Sequence, residues 1–172
     1  MSVNNFNWDC SAFFERLTKN NKLAIDNDYR FVLVSSLEGF HAALSQMLSA
    51  PAFVAVSETS QGTLTIDNSP HTRRVKTVFL AKRFPMDDAD GAHREAAMTE
   101  MRELFRQFMS VLVQEKTRLG ESCIYLDDRI SFNEIDRYFF TGCACSYFQM
   151  SIDTYTNLAY NQEEWLNHPN NQ

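Results

Sequence analysis

Long apolar runs are missing from this 172-residue sequence. No run reaches the roughly 20 residues that a membrane-spanning helix needs. Residues 1–9 are polar and rich in Asn. They lack the basic start and the apolar run of about 7–15 residues that mark a signal peptide. We therefore expect a chain that does not enter a membrane and that works in the cytoplasm.

Glycine and cysteine are also scarce, with five Gly and four Cys. No two glycines have the spacing of a phosphate-binding loop, which argues against the common nucleotide sites. There is no Cys-x-x-Cys and no Cys/His set with zinc spacing. Cys143 and Cys145 are separated by a single residue. We expect reduced, partly buried thiols, because a domain of this length needs no disulfides to fold. No cofactor is expected.

Basic residues are outnumbered, 16 Lys and Arg against 22 Asp and Glu, for a net charge of −6. Residues 119–172 contain two basic and eight acidic side chains and account for the whole net charge. An acidic chain is poorly suited to general binding of nucleic acid or of an anionic membrane. No sequence-specific nucleic-acid partner and no membrane partner are expected.

Hydrophobic residues make up 44% of the chain and aromatic residues 13%, enough for a substantial core. The patterns predict an α+β fold with a mostly antiparallel sheet, formed by a meander plus C-terminal strands. One long helix and one or two shorter helices pack on this sheet. Residues 1–172 are interpreted as one domain, with disordered tails at 1–8 and 166–172.

Apolar periodicity, caps and turn residues give the expected elements. The first helix, capped by Asp9 or Ser11, is expected to end early in the polar stretch 19–22. Gly62 is expected in a left-handed turn of the meander, and Gly120 at the end of the long helix. The helices are expected at 10–24, from Ser35 or Ser36 to about 48, and at 89–119, and the strands at 29–34, 52–59, 63–67, 72–82, 123–126 and 143–153.

Four acidic residues close together in the sequence form the best candidate for catalysis. Asp127, Asp128, Glu134 and Asp136 belong to one predicted loop and could hold Mg²⁺ or Ca²⁺. The EF-hand spacing is absent, and no Lys or His base accompanies the acids. A metal-dependent hydrolase is therefore an alternative, beside a solvated acidic loop.

Basic residues cluster on the predicted strand 72–82, at Arg73, Arg74 and Lys76. Nucleic-acid binding would need aromatic residues on the same exposed face, but Phe79 shares its face with Val75 and Ala81. The cluster could instead form a charged edge, or meet the acidic C-terminal third of a neighbouring copy. The candidate interface residues are Arg73, Arg74, Lys76, Tyr155, Tyr160 and Trp165.

The order of these elements, and the residues that close the chain, resemble phage tail terminator (tail-completion) proteins and related neck proteins. The resembling residues are DDRI at 127–130, YFQMSI at 147–152 and NLAYNQEEW at 157–165, within a similarity that covers 29–165. No single motif defines the family, so no functional residue is carried over to this chain.

The resemblance implies a non-enzymatic ring of identical subunits, commonly six, that stops growth of the tail tube and faces the head connector. Its partners would be copies of itself, tail-tube proteins and head-connector proteins, within an assembled phage or prophage particle. The alternatives are the metal-dependent hydrolase, and a small-molecule binding module with a pocket between helix 89–119 and the sheet.

Overall fold

A computed structural model describes residues 8–35, 50–58, 61–85, 91–135 and 142–166. The helix expected to start at Ser35 or Ser36 falls almost wholly outside these residues. Three helices are described, α1 (Cys10–Asn20), α2 (Lys22–Asp26) and α3 (Ala92–Gly120). The strands are β1 (Tyr29–Val34), β2 (Ala52–Ser57), β3 (Gln61–Thr65), β4 (His71–Arg83), β5 (Ile124–Leu126), β6 (Phe132–Ile135) and β7 (Cys143–Tyr155).

The first helix ends at the polar stretch, as its sequence indicates. The Asp9 carboxylate accepts a hydrogen bond from the Ala12 amide and caps α1. Asn21 then has an extended backbone, and its side chain accepts from the Ala24 amide, so it caps α2. One continuous helix over 10–24 is therefore replaced by two helices that meet at Asn21.

The seven described strands form one sheet in the order β1-β2-β4-β7-β5, and β3 also pairs with β4 while β6 pairs with β7. Only β1 and β2 are parallel. The 13-residue strands β4 and β7 pair along their whole length, from His71 opposite Tyr155 to Arg83 opposite Cys143. The α+β class with a mostly antiparallel sheet is confirmed.

The predicted meander is wrong in its pairing. β2 pairs with residues 78–82 of β4, whereas β3 pairs with residues 71–75. Because β7 occupies the other edge of β4, β2 and β3 lie one after the other along the same edge. Gly62 lies within β3 without a positive φ, so the expected left-handed turn is not there. The length of β4, which accommodates two partners on one edge, could not be inferred from alternation.

Alternation does assign the two faces of the sheet. Val78 and Leu80 of β4, with Phe148 of β7, belong to the main core that α1 and α3 cover. Phe79 and Cys145 belong to a smaller cluster on the opposite face. The observed cluster confirms that Phe79 shares its face with Ala81, as the alternation over 72–82 predicts.

The 29-residue helix α3 packs one face on the sheet. It follows Gly91, whose φ is +73°, and the expected start at residue 89 lies outside the described residues. Gly120 is its last residue, but the left-handed residue at this end is Cys123, with φ +57°. In the described part of the chain, no helix combines the length and apolarity needed to cross a membrane.

At residue 8, the structure corrects the expected disordered tail 1–8, because Trp8 is ordered. Its ring is buried, lies 5.2 Å from that of Phe13, and donates a hydrogen bond to the Glu115 carboxylate on α3. Residues 1–7 and 167–172 lie outside the described part of the chain. The strand β6 lies within the predicted loop that contains Asp127 and Glu134, so the prediction of a loop there is wrong for residues 132–135.

Candidate interaction surfaces

The structure separates the acidic residues that could have formed a metal site. Asp127 forms an ion pair with Arg73, Asp128 with Lys116, and Glu134 with Arg102. Asp136 lies outside the described residues. Among the described residues, no three His, Cys, Asp or Glu side chains converge in a way that could hold a metal ion. Each described acid thus has a cation of its own, and the hydrolase alternative gains no support.

Of the three acids, Glu134 has the best-defined ion pair. Its partner Arg102 lies on a different element, so the pair joins two elements. The Arg102 guanidinium donates to both Glu134 oxygens, at 2.9 and 2.8 Å, and also to Glu95 at 2.9 Å. The hydrogen bonds from Arg102 hold the pKa of Glu134 below its ordinary value. Because β6 is short, this bidentate pair is an important connection between β6 and α3.

We expect Glu134→Gln to lower the free energy of unfolding at pH 7 by about 0.5–1 kcal/mol, the upper part of the range for exposed ion pairs. A carboxylate with a lowered folded pKa contributes its full stability above its unfolded pKa of about 4.3. That contribution is lost as the pH falls through the folded pKa. Urea unfolding from pH 7 to pH 2 should show the two proteins converging in acid; a constant difference would contradict this, and Glu58→Gln, at an exposed residue, is the control.

Arg73 of the candidate interface is already paired within its own subunit. Its guanidinium donates to both oxygens of Asp153, at 3.0 and 2.6 Å, and reaches Asp127 at 3.4 Å. The hydrogen bonds to Asp153 raise the pKa of Arg73 further above its ordinary value. Arg73 therefore joins β4, β7 and the loop after β5. It is less available to pair with an acidic residue of a neighbouring copy than the sequence indicated.

Arg74 and Lys76 lie on the other face of the sheet, on the side of α1. Lys76 Nζ donates to the carbonyl oxygens of Ser57 and Glu58, at 2.8 and 2.6 Å. Arg74 is exposed and has one long hydrogen bond, 3.4 Å, to the Thr154 hydroxyl. The basic cluster is thus divided between two surfaces, and Arg74 keeps the more accessible charge of the pair on the α1 side.

A cavity of about 400 Å³ opens beside these two residues, where α1 begins. Its wall consists of residues 8–11, Arg74, Lys76 and Ile152. Burial raises the pKa of Cys10 in this wall to about 12, against the opposing effect of Lys76, so its thiol stays neutral. The cavity therefore combines an apolar lining from Trp8 and Ile152 with positive charge from β4.

A second groove of about 390 Å³ runs beside the edge strand β1. Residues 28–31 form one wall, and α1 and α2 contribute the other, including the exposed Ile25. In contrast, the space expected to hold a ligand between α3 and the sheet is filled. Met98, Met101 and Leu104 are fully buried there in the main core.

Edge strands of the sheet carry exposed apolar side chains, and β3, which pairs only with β4 in the described residues, is one of them, with the exposed Leu64. Within the described residues, β1 pairs on one side only, with β2, and it carries the half-exposed Leu33. At the other end, β5 and β6 pair only with β7 and carry the exposed Tyr125 and Phe132. Both edges thus have backbone groups and apolar surface available for contact.

The candidate residues Tyr155, Tyr160 and Trp165 are all more than half exposed. Tyr155 ends β7, while the rings of Tyr160 and Trp165 stack with centroids 6.4 Å apart. In the sequence, a short 3-10 turn, Gln162–Glu164, lies between the two aromatic residues and is capped by the Asn161 side chain. The structure therefore brings two of the three into one small exposed cluster.

Sequence reasoning missed a largely buried polar cluster beside the C-terminal end of β4. Lys82 Nζ contacts the Glu100 carboxylate and donates to Asn27 Oδ1 at 3.1 Å. The Tyr29 hydroxyl is buried next to them, and desolvation, with Glu100 close by, raises its pKa. The available signal was Lys82 itself, a basic residue on the same strand face as Val78 and Leu80.

All four cysteines are unpaired thiols. Cys10, Cys143 and Cys145 are buried, and desolvation raises the pKa of each, so they are unreactive near neutral pH. Only Cys123 is exposed, which corrects the expectation for that residue.

No protein-family model and no curated protein matches this sequence.

Proposed function

We propose that this chain is a non-enzymatic assembly protein whose subunits join edge to edge into a closed ring, and that the ring acts in a phage or prophage tail. The observation that carries the ring is the pair of sheet edges, β1 on one side and β5 with β6 on the other. The tail role, with tail-tube and head-connector partners, rests on the resemblance of residues 29–165.

Exposed strand edges readily pair with other strands, and monomeric proteins cover or charge them. Here each edge carries exposed apolar residues beside its charged ones, Leu33 at β1 and Tyr125 and Phe132 at β5 and β6. The two edges differ in sequence and in strand length, so a contact between them is head-to-tail. Such heterologous contacts form a ring when the rotation between subunits closes.

The chemistry of the remaining residues supports a binding role over catalysis. Each of the three described acids of the hydrolase alternative pairs with a different cation, Arg73, Lys116 or Arg102, and they do not converge on one metal position. The space between α3 and the sheet is packed with side chains, which removes the pocket of the small-molecule alternative from its expected place.

Native mass spectrometry tests the ring. We expect one closed species of identical subunits that persists at low and moderate salt. We expect Leu33→Lys at the β1 edge to weaken assembly about tenfold or more, since losing a central interface contact costs over 1 kcal/mol. The matched control is Ile66→Lys, because Ile66 is 80% exposed in the segment after β3 and belongs to neither β1 nor β5 and β6.

Both variants should retain the circular dichroism of the wild type, since neither residue is buried. A wild-type chain that stays monomeric at high micromolar concentration would contradict the proposal. So would equal assembly of Leu33→Lys and Ile66→Lys, because the contact would then lie elsewhere. Turnover that requires a divalent metal would favour the hydrolase.

A further inference from the structure

We propose that the cavity where α1 begins, called here the α1 cavity, binds a small anion through an oxyanion group, either a phosphate or a carboxylate. Its described wall consists of residues 8–11, Arg74, Lys76 and Ile152. None of these residues belongs to the edge strands β1, β5 and β6, so the site is independent of the ring proposed above. Three features of the wall select such a ligand, namely its size, its polarity and its unbalanced positive charge.

The α1 cavity is large enough for a small molecule, and its open surface is mainly polar. Its volume is about 400 Å³, within the range of roughly 300–1,000 Å³ that is usual for ligand sites. The two large apolar residues of the wall, Trp8 and Ile152, are only 8% and 6% exposed. Little apolar surface is therefore open to a ligand, and charge and hydrogen bonds must provide most of the binding free energy.

Two cations line this cavity without a carboxylate counter-ion. Arg74 and Lys76 are two residues apart on β4, so their side chains lie on the same face of the sheet. Arg74 donates one hydrogen bond, to the Thr154 hydroxyl, and Lys76 Nζ donates to two backbone carbonyl oxygens. Neither cation forms an ion pair within the part of the chain that the structure describes. Their positive charge is therefore available to an external anion.

The Arg74 guanidinium is the strongest donor that the wall offers to a ligand. A guanidinium has five N–H groups in a planar arrangement that matches a phosphate or a carboxylate. Among the described contacts of Arg74, only Nη1 donates, and its bond of 3.4 Å is long. Its neighbour Arg73 differs, because both oxygens of Asp153 already accept from it. Arg74 is thus the arginine of the basic cluster that can pair with a ligand.

Lys76 and the start of α1 add to the positive potential. Burial raises the pKa of the Cys10 thiol and the positive charge of Lys76 opposes this effect, so that charge acts at the cavity wall. A helix N-terminus also favours negative charge through its dipole and its unpaired amides. Asp9 is the one acid of the described wall, and one of its carboxylate oxygens caps α1. Two cations and one carboxylate leave the wall net positive.

The charge of the rest of the chain limits the ligand to a small anion. The protein has a net charge of −6, and a long polyanion such as a nucleic acid would have to approach this acidic surface. A small anion meets only the cavity wall, where it exchanges water around Arg74 for charge-assisted hydrogen bonds. The local charge therefore selects the oxyanion group, and the volume of the cavity permits a polar body attached to it.

Isothermal titration calorimetry at constant ionic strength, with inorganic phosphate and separately with citrate, tests the site. We expect saturable binding of at least one of them with a dissociation constant below about 1 mM. The tighter of the two identifies the oxyanion group. Arg74→Gln should weaken this binding about tenfold or more, because the ligand loses its charge-assisted pair. The matched control is Arg129→Gln, at another exposed arginine that does not line the cavity.

Asp9→Asn is a variant that should bind the anion more tightly. Asparagine caps a helix about as well as aspartate, so α1 is retained. Removing the acid of the wall should lower the dissociation constant about threefold or more, because a repulsion at close range is lost. A variant that only perturbed the fold would weaken binding instead. Asp26→Asn, at an exposed residue of α2, changes the net charge equally and should bind as the wild type does.

Three results would overturn the anion site: dissociation constants above about 1 mM for both anions, equal affinities of Arg74→Gln and Arg129→Gln, or no gain in Asp9→Asn. Native mass spectrometry tests the ring separately. A chain that stays monomeric but binds phosphate or citrate overturns the ring and retains the site. A ring that binds neither anion does the reverse.

Discussion

Replacing Phe148 by alanine is expected to lower the free energy of unfolding by about 3–5 kcal/mol, the range for a large aromatic residue in a core. Phe148 is fully buried at the centre of β7. Its ring lies 5.7 Å from that of Phe14 on α1 and 5.1 Å from that of Phe105 on α3. The alanine variant therefore leaves a cavity where both helices meet the sheet, and urea denaturation followed by circular dichroism measures the loss.

Phe132→Ala is the matched control for this prediction. Phe132 also has its ring close to Phe105, at 5.5 Å, but it is exposed on β6. Its loss should cost less than about 1 kcal/mol, as for most exposed residues. Equal effects of the two substitutions would mean that Phe148 does not join the helices to the sheet.

The second large effect is expected for Lys82→Met, at about 3 kcal/mol of lost stability. That is the lower end of the range for removing one partner of a buried ion pair, because Lys82 and Glu100 keep about a fifth of their exposure. The variant removes the cation from Glu100, whose Oε1 is buried without a hydrogen-bond partner. The destabilisation comes from a largely buried carboxylate left without its cation.

A double variant separates this cause from simple loss of packing. Lys82→Met combined with Glu100→Met removes both charges and should recover most of the stability, since apolar replacement of a buried pair is often neutral. Thermal unfolding of the wild type, the single variant and the double variant makes the comparison. A double variant that is less stable than the single one would show that Glu100 contributes without Lys82.

Local patterns in the sequence were sufficient for most individual elements. Strand 29–34 was predicted with its observed bounds, because a β-branched and aromatic run between polar residues is a strong local signal. The alternation over 143–153 assigned the faces of β7, because successive side chains point to opposite sides of a strand. Asp9 and Ser11 were the two cap candidates from their position before an apolar stripe, and the structure shows that Asp9 is the cap.

The candidate site was harder to predict, because charge patterns do not show which groups pair. Arg73 was interpreted as a surface for a neighbour, yet Asp153, 80 residues later in the chain, neutralises it. Asp127, Asp128 and Glu134 are close in sequence, but β6 and the loop before it direct them to different cations. Closeness in sequence predicts closeness in space only within one helix or strand.

By itself, the sequence determined the local conformations, the α+β class and the separation of charge along the chain, since caps, turns and alternation act over a few residues. Only the tertiary structure decided that β2 and β3 share one edge of β4, that Trp8 belongs to the core, and that Lys82 faces Glu100. These features depend on contacts between distant segments, whose burial energy is set by the packing of the whole sheet and not by any short stretch of residues.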